Sequence, residues 1–373
     1  MSGYRVTSSS IESPQDLEQE WCALQSRVDC SYFQSWGWIG VWLEQIAAEF
    51  DPLIVRVWYG GSLVGLGIFV HRIIRRRLFI NSSALFLNEY PFDGRNMSIE
   101  YNGLLAEHDH RERVYAEVID HLFSTNKGLD EVFFGGVDAS AVVYQGLAHS
   151  GCRPEHISRQ LLEESYTWAV DLGSIGTGMD AYLETLSRNR RAQIRRSIRL
   201  YEAYGPLRLE EAKDLVMARE FFSGLKELHT LRWQKEGKQG VFANPVWGNF
   251  HRALIKSRFP EGEIQLLRVR NDNAVIGYLY SLVWRKKVYV LQTGFESQRE
   301  KGLMPGYVVH AMAIEHNRKL GMVMYDLMHG DELYKQIMCD RYQQLQWLVL
   351  QRPRIRFTIE NLALALKRKF TAT

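Results

Sequence analysis

LIVRVWYGGSLVGLGIFVHRIIRRRLF, Leu53 to Phe79, and QLLRVRNDNAVIGYLYSLVWRKKVYV, Gln265 to Val290, share one pattern. In each, Arg-Val leads into a turn, the turn into an apolar pair, and the pair into Gly. Arg56, Val57, Leu63, Val64 and Gly65 match Arg268, Val269, Val275, Ile276 and Gly277 at one constant offset. Gly60-Gly61 and Asp272-Asn273 are turn pairs expected of β-hairpins. Both stretches continue through an apolar strand, a basic turn (Arg75–Arg77; Arg285–Lys287) and a further strand.

The repeat extends outward. Phe33 and Trp38 in SYFQSWGWIGVWLEQI have the spacing of Phe242 and Trp247 in VFANPVWGNFHRALI. Downstream, RERVYAEVIDHLF then DEVFFGGVD, and YVVHAMAIEHNRKLG then MVMYDLM, each read as an amphipathic helix and then a strand. The order of helices, antiparallel strands, crossover helix and strand therefore occurs twice. It predicts an α/β chain of tandem lobes, each a mostly antiparallel mixed sheet flanked by helices. The boundary is expected near residues 160–178, with the Gly-rich DLGSIGTGMD, Asp171 to Asp180, a loop close to it. The lobes are taken as 1–165 and 166–373.

Bulk properties agree with this division. The chain has 373 residues, enough for two domains at ~100–200 residues each. It is 46% hydrophobic and 24% charged, the balance of a soluble globular protein. A net charge of +3 gives no argument for a nucleic-acid or membrane partner. Cys22, Cys30, Cys152 and Cys339 form no CxxC pair and no zinc or disulfide spacing, so a reducing cytoplasm is expected. MSGYRVTSSSIESPQ lacks the layout of a signal peptide. The longest apolar stretch, Leu53 to Val70, is broken by Arg56, Tyr59 and glycines, so no transmembrane segment is expected.

The halves differ before the crossover helix. In VYVLQTGFESQREKGLMPGYVVHAM a strand, Val288–Phe295, runs into a loop holding Gly302, Pro305 and Gly306. Such a junction can turn backbone N–H groups toward an anion, and the helix after it adds positive potential. Arg299 and Lys301 add charge. The first half has FLNEYPFDGRNMSIEYNGLLAEHDHRERV there, longer, poorer in glycine, with acidic residues at the helix entry. An anion site would belong to the second half alone; the alternative is a plain loop of turn residues. Further on, MYDLMHGDELYK, Met324 to Lys335, places Asp326 in an apolar strand and gathers His329, Asp331, Tyr334 and Lys335 past its end. Ligands in α/β proteins bind at such strand ends.

These features together carry a resemblance. The order of strand, loop ending in Pro305-Gly306, helix, strand, then Asp326-x-x-x-Gly330-Asp331-x-x-Tyr334-Lys335, with Arg232-Trp233 upstream, resembles the acetyltransferase domain of the CelD/BcsL proteins associated with bacterial cellulose biosynthesis. That group is similar to the Fem peptidyltransferases and lies in the Gcn5-related N-acetyltransferase (GNAT) superfamily. The resemblance covers about Tyr182 to Gln351. The first half matches in layout only, as a degenerate copy without a donor site. There is one departure: Arg299-x-x-Gly302 fits the start of the superfamily's Q/R-x-x-G-x-G/A loop, but Met304 stands where a small residue belongs.

The resemblance implies acyl transfer from acetyl-CoA to an amine or hydroxyl on a small-molecule or saccharide acceptor, such as an amino sugar or polysaccharide precursor. Backbone of Gln292, Thr293, Gly294 and Phe295 would hold the pantetheine. Arg299, Lys301, Gly302, Pro305 and Gly306 would surround the pyrophosphate. Tyr334 would protonate the departing thiolate, for which a phenol of pKa ~10 is suited; otherwise it is a core aromatic. Asp326 would be the base or orient the acceptor; otherwise it caps a neighbouring loop. His229, in ELHTLRW, would be a base on the acceptor side, or structural. Arg232 and Trp233 would bind a sugar; alternatively Arg232 pairs with Glu236 at i, i+4 and Trp233 is core. Lys335 would neutralise phosphate or pair with Asp331. His329, Asp331 and Glu332 read as a turn, and no metal is expected.

Two rivals remain open. One is a Fem-like transferase using aminoacyl-tRNA, the only reading with a nucleic-acid partner. It would use SRNRRAQIRRSIRLYEAYG, which carries Arg188, Arg190, Arg191, Arg195, Arg196 and Arg199; the default for such a run is a solvated helix face. The other is a non-catalytic module in exopolysaccharide assembly. LALALKRKF near the C-terminus is read as docking on the second half, the alternative being a basic amphipathic end that touches a membrane.

Overall fold

The computed structural model describes residues 3–46, 50–76, 81–89, 91–92, 95–96, 99–138, 157–297, 301–330 and 332–360, with 143, 146 and 148. Two compact units emerge: Met1–Glu164 with Gln344–Thr373, and Ser165–Gln343.

The first unit runs β1 (Tyr4–Ser9), α1 (Pro14–Gln25), α2 (Trp36–Ile46), β2 (Leu53–Tyr59), β3 (Ser62–Arg75), β4 (Asn81–Leu87), β5 (Leu105–Ala106), α3 (Arg111–Thr125) and β6 (Glu131–Asp138). Strands β1 to β4 pair antiparallel in order, and β4 pairs β6 in parallel across the α3 crossover. The apolar face of α3 (Val114, Val118, Ile119, Leu122) packs into a core with Val55, Val57, Phe69 and Leu85 of the sheet.

The second unit contains part of β7 (Ser158–Asp171), then α4 (Met179–Thr185), α5 (Arg188–Glu202), β8 (Arg208–Glu211), α6 (Leu215–Lys235), α7 (Pro245–Arg258), β9 (Ile264–Arg270), β10 (Val275–Trp284), β11 (Lys287–Phe295), α8 (Pro305–Lys319), β12 (Met324–His329) and α9 (Leu333–Met338). Its sheet repeats the first: β8 to β11 antiparallel, β11 parallel to β12 across the α8 crossover, then β7 antiparallel to β12. The expected architecture of two lobes in tandem, each a mostly antiparallel mixed sheet with helices, is present.

The repeat holds down to single residues. Val57 faces Gly65, Val269 faces Gly277, and the register slips just after each pair. Arg56 donates to Glu20 of α1 (2.7 Å) and Ser9 of β1 (3.0 Å). Its match Arg268 donates to Glu220 of α6 (2.7 Å) and Glu210 of β8 (2.6 Å). Each arginine thus ties a neighbouring strand and helix of its unit to the hairpin. A Cβ on Gly65 would lie 2.4 Å from Val114 of α3, and one on Gly277 3.1 Å from Val309 of α8. Glycine at these positions lets the crossover helix approach the sheet closely. The rings of Phe33 and Trp38 are 4.7 Å apart and those of Phe242 and Trp247 4.9 Å, both pairs edge-on.

One grouping differs from the expected 166–373. Gln344–Thr373 clusters with the first unit, because Leu345–Gln351 of the strand Arg341–Gln351 pair antiparallel with β6. Without this strand β6 would present an unpaired edge, which folded sheets avoid. Arg352 then donates to Leu129 O and Phe123 O, and Arg354 and Arg356 bind Asp130. LALALKRKF lies outside the described residues, as do Arg299 and Asp331. Among the described residues no helix is long and apolar enough to cross a membrane.

Candidate functional site

In each unit the two parallel strands pair briefly and then diverge. Ala84–Phe86 pair with Glu131–Phe133, and Lys287–Tyr289 with Met324–Asp326. Past the point of divergence the two units part ways.

In the first unit the gap is filled by its own chain. Residues 88–105 stand between Leu87 and Ala106, where the second unit has only 291–294 between Val290 and Phe295 against the same span of hairpin. Asn102 bridges to Val137 and donates its N–H to Gly136 O at 3.0 Å. Asn88 Nδ2 donates to Asn102 Oδ1 (3.0 Å) and Gly103 O (3.1 Å), and Asn102 Nδ2 to Leu87 O (2.9 Å).

Glu89 is buried in this plug, with the N–H of Ile99 3.5 Å from its carboxylate. Burial pushes its pKa up to about 8, opposed by that N–H. A raised carboxyl holds its proton in the fold when the unfolded chain has released it. Its contribution to stability is therefore full below about pH 4.5 and is lost as the pH climbs to about 8, at roughly 1.4 kcal/mol per pH unit. Urea unfolding at pH 5 and pH 8 is expected to show this loss in the wild type and a flatter profile in Glu89→Gln. Parallel profiles would contradict it.

In the second unit no described strand takes the place of that plug beside β11. Past Tyr289, β11 bonds β10 on one side and has left β12 on the other. Leu291 is an extra residue at a bulge, since Val290 pairs Ser281 and Gln292 pairs Tyr280. A bulge re-aims the backbone beyond it. Gln292, Thr293 and Phe295 are part-exposed. Gly294 is buried because α6 lies on it, a Cβ there falling 2.6 Å from Leu225 O.

The loop into α8 is shaped by α5, the arginine helix. Ser197 Oγ, fully buried, accepts the N–H of Met304 at 2.9 Å. Gly302 has φ +103, and a Cβ there would lie 3.4 Å from Leu200 and 3.7 Å from the Arg196 guanidinium. Arg190 stacks over the ring of Tyr307, 4.7 Å from its centre. The arginine run is thus only partly a solvated face: Arg190 and Arg196 stand at the N-terminus of α8 beside exposed Lys301. Gly306 lies under Phe295, whose ring is 3.2 Å from a Cβ placed there. Pro305 is buried at the first helical position. Val308 N bonds Met304 O, so the amides of Gly306 and Tyr307 have no carbonyl within the helix.

At the base of the gap Tyr334 of α9 stacks on His310 of α8, ring centres 6.0 Å apart, and meets Tyr307 edge-on at 6.4 Å. Its hydroxyl has no hydrogen bond among the described residues. Burial raises its pKa, Glu332 adding and Arg232 opposing, so the phenol stays protonated at neutral pH. His310 is fully buried against Phe295 and Tyr325. Its Nδ1 is 2.9 Å from Tyr325 Oη, while its Nε2 has no partner. Burial, with Lys335 nearby, lowers its pKa to about 3, so it is neutral. Sequence reasoning gave Arg190 and Arg196 only a tRNA role or a solvated face, and did not single out Ser197 or His310.

The remaining candidates are placed as structural groups. Asp326 is buried and its Oδ1 accepts the N–H of Met328 at 2.7 Å. Met328 has φ +63, costly for a residue with a side chain, and Asp326 holds that kink. Asp326→Asn keeps the acceptor oxygen, so activity is expected to stay within about threefold; a proton-taking role would cost on the order of 10²-fold or more. His229 is buried, and its pKa is lowered to about 4 by burial and by Arg232. The Trp233 indole donates to His229 Nε2 at 2.8 Å. Indole N–H can only donate, so Nδ1 carries the proton and no lone pair is left to act as a base. Trp233's polar atom is spent in the same bond. Arg232 pairs with Glu236 at 3.3 Å. Lys335 is buried with its ammonium on His329 O and Glu332, where it braces the loop. Among the described residues no group of three or more His, Cys, Asp or Glu could hold a metal.

Comparison with known proteins agrees with the fold. Residues 188–336 match the family model described as an acetyltransferase (GNAT) domain. A comparison with curated proteins gives no match. Among solved structures, FemX aligns at TM-score 0.59 and 10% identity, over 91% of this chain and 96% of its own. The C-terminal domain of a lysylphosphatidylglycerol synthetase-type protein from Agrobacterium fabrum aligns at 0.52 and 13%, over 95% of each chain. L-PGS from Bacillus licheniformis aligns at 0.51 and 10%, over 93% of this chain and 94% of its own. Residues 188–336 thus carry a GNAT-type acyltransferase fold, in a chain similar in fold to FemX.

Proposed function

We propose that the unit Ser165–Gln343 transfers an acyl group, acetyl in the simplest case, from acyl-CoA to an amine or hydroxyl acceptor. The carrying observation is the open divergence of β11 from β12, with the unbonded Tyr334 hydroxyl at its base. Acyl-CoA supplies an activated thioester carbonyl. The freed edge of Gln292–Phe295 supplies backbone groups for an extended pantetheine arm. Arg190, Arg196 and Lys301, with the first amides of α8, supply positive potential for a diphosphate. His310 Nε2, buried and without a partner, is placed to bond a polar atom entering the gap. Tyr334 donates its proton to the departing sulfur, and the proton lost by the attacking nitrogen or oxygen returns through water to the phenolate. Most of the acceleration would come from holding both substrates together.

We read the first unit as lacking a donor site, since Asn88, Glu89 and residues 99–105 occupy its gap. The likeness of the second half to CelD/BcsL-type domains supports an amino sugar or polysaccharide precursor as acceptor and a cytoplasmic setting. A second reading, aminoacyl transfer from tRNA, is favoured by one contact: Ser197 already takes the Met304 amide that a CoA pyrophosphate would use. The test is release of free thiol from acetyl-CoA against a panel of amines and amino sugars. Acceptor-dependent release supports the proposal. No release, with transfer from charged tRNA instead, would replace it with the second reading.

A further inference from the structure

α6 and α8 cover opposite faces of the second sheet: Gly224 of α6 packs on Tyr278, and Val309 of α8 on Gly277, the preceding residue. On the α6 side, between α6 and α7, lies a cavity of about 480 Å³. Its floor is Phe222 and Ile255; its rim carries Arg219 and Lys226 of α6 and Arg252 and Lys256 of α7. All four cations are exposed. None has an acidic partner among the described residues; Arg252 bonds only Asn249. Acids are not scarce in this unit, where Arg195, Arg208, Arg268, Arg318 and Arg341 are all paired. Four like charges around one concavity repel each other, and low-dielectric walls focus their field.

We propose that this cavity binds a small molecule bearing a phosphate or diphosphate group, its apolar part resting on Phe222 and Ile255. The volume falls within the ~300–1,000 Å³ of small-ligand sites. A carboxylate brings one negative charge and leaves most of the rim uncompensated, whereas one phosphate monoester brings about −1.5 to −2. Arginine from each helix offers a planar fork to phosphate oxygens. The site is separate from the donor gap, so it stands whether or not the acyl-CoA reading does.

The probe is sodium pyrophosphate in a calorimetric titration of the full chain, with variants matched for thermal midpoint. A pyrophosphate-binding component that Arg219→Ala with Lys256→Ala weakens at least tenfold, and that persists in Arg190→Ala with Arg196→Ala, where only the donor-gap anion site is removed, is the expected result. Loss only in the α5 pair would place the anion at α8 and overturn the proposal, as would absence of binding. Co-sedimentation with phosphatidylglycerol vesicles that depends on Arg219 and Lys256, without pyrophosphate binding, would assign the patch to a lipid surface and overturn it too.

Discussion

Phenylalanine at Tyr334 lowers kcat by about 10²- to 10³-fold, the range of a lost general acid, and leaves the donor KM and the thermal midpoint near wild type. The hydroxyl has no hydrogen bond among the described residues, so its loss breaks none in the fold. The ring, which does the packing against His310 and Tyr307, is retained. The raised pKa keeps the phenol protonated throughout the neutral range, so the wild-type rate should show no titration of this group between pH 6 and pH 9. Rate measurements with the acceptor identified by thiol release decide it. A kcat within threefold of wild type would remove Tyr334 from the chemistry and leave positioning as the main source of rate.

The second large effect is on stability. Gly136 has φ +61, and a Cβ there would lie 2.0 Å from Ile99 O, a backbone atom of the plug. Gly136→Ala meets two costs: a left-handed conformation worth about 1–2 kcal/mol and forced displacement of packed backbone worth about 1–3 kcal/mol. A loss of about 3 kcal/mol in urea unfolding is expected. A loss below about 0.5 kcal/mol would mean that residues 99–102 do not seat in the gap. Met328 has nearly the same φ in the matching bulge of the second unit, and tolerates it because Asp326 bonds its N–H.

The repeat was legible because hairpins encode themselves locally. Turn pairs, alternation and a glycine under the crossover helix all fall within a few residues, so Arg56-Val57 and Arg268-Val269 could be matched by eye. The lobe architecture came with them. The candidate site stood out where a loop or strand end broke pattern, as at Pro305-Gly306 and Tyr334; Asp326 stood out for the same reason and holds a backbone kink instead. The site was not legible where function depends on distant partners. Ser197 and Arg196 look like any positions of a basic helix until α5 is laid on Gly302 and Met304, a hundred residues further on. His310 sits in an amphipathic stripe indistinguishable from core, and only its orphaned Nε2 sets it apart. His229 and Trp233, each open in the sequence to a ligand-facing or a structural role, consume each other's polar atoms. The strand Arg341–Gln351 could not be assigned by position, since an edge recruits whichever strand completes it.

Calorimetric titration of acetyl-CoA into the wild type and Arg190→Glu tests the central claim most directly. Arg190 is preferable to Gly306, where any side chain would press on Phe295. Micromolar binding by the wild type, abolished by Arg190→Glu at an unchanged thermal midpoint, is the predicted result. A well-folded wild type that does not bind acetyl-CoA would contradict it.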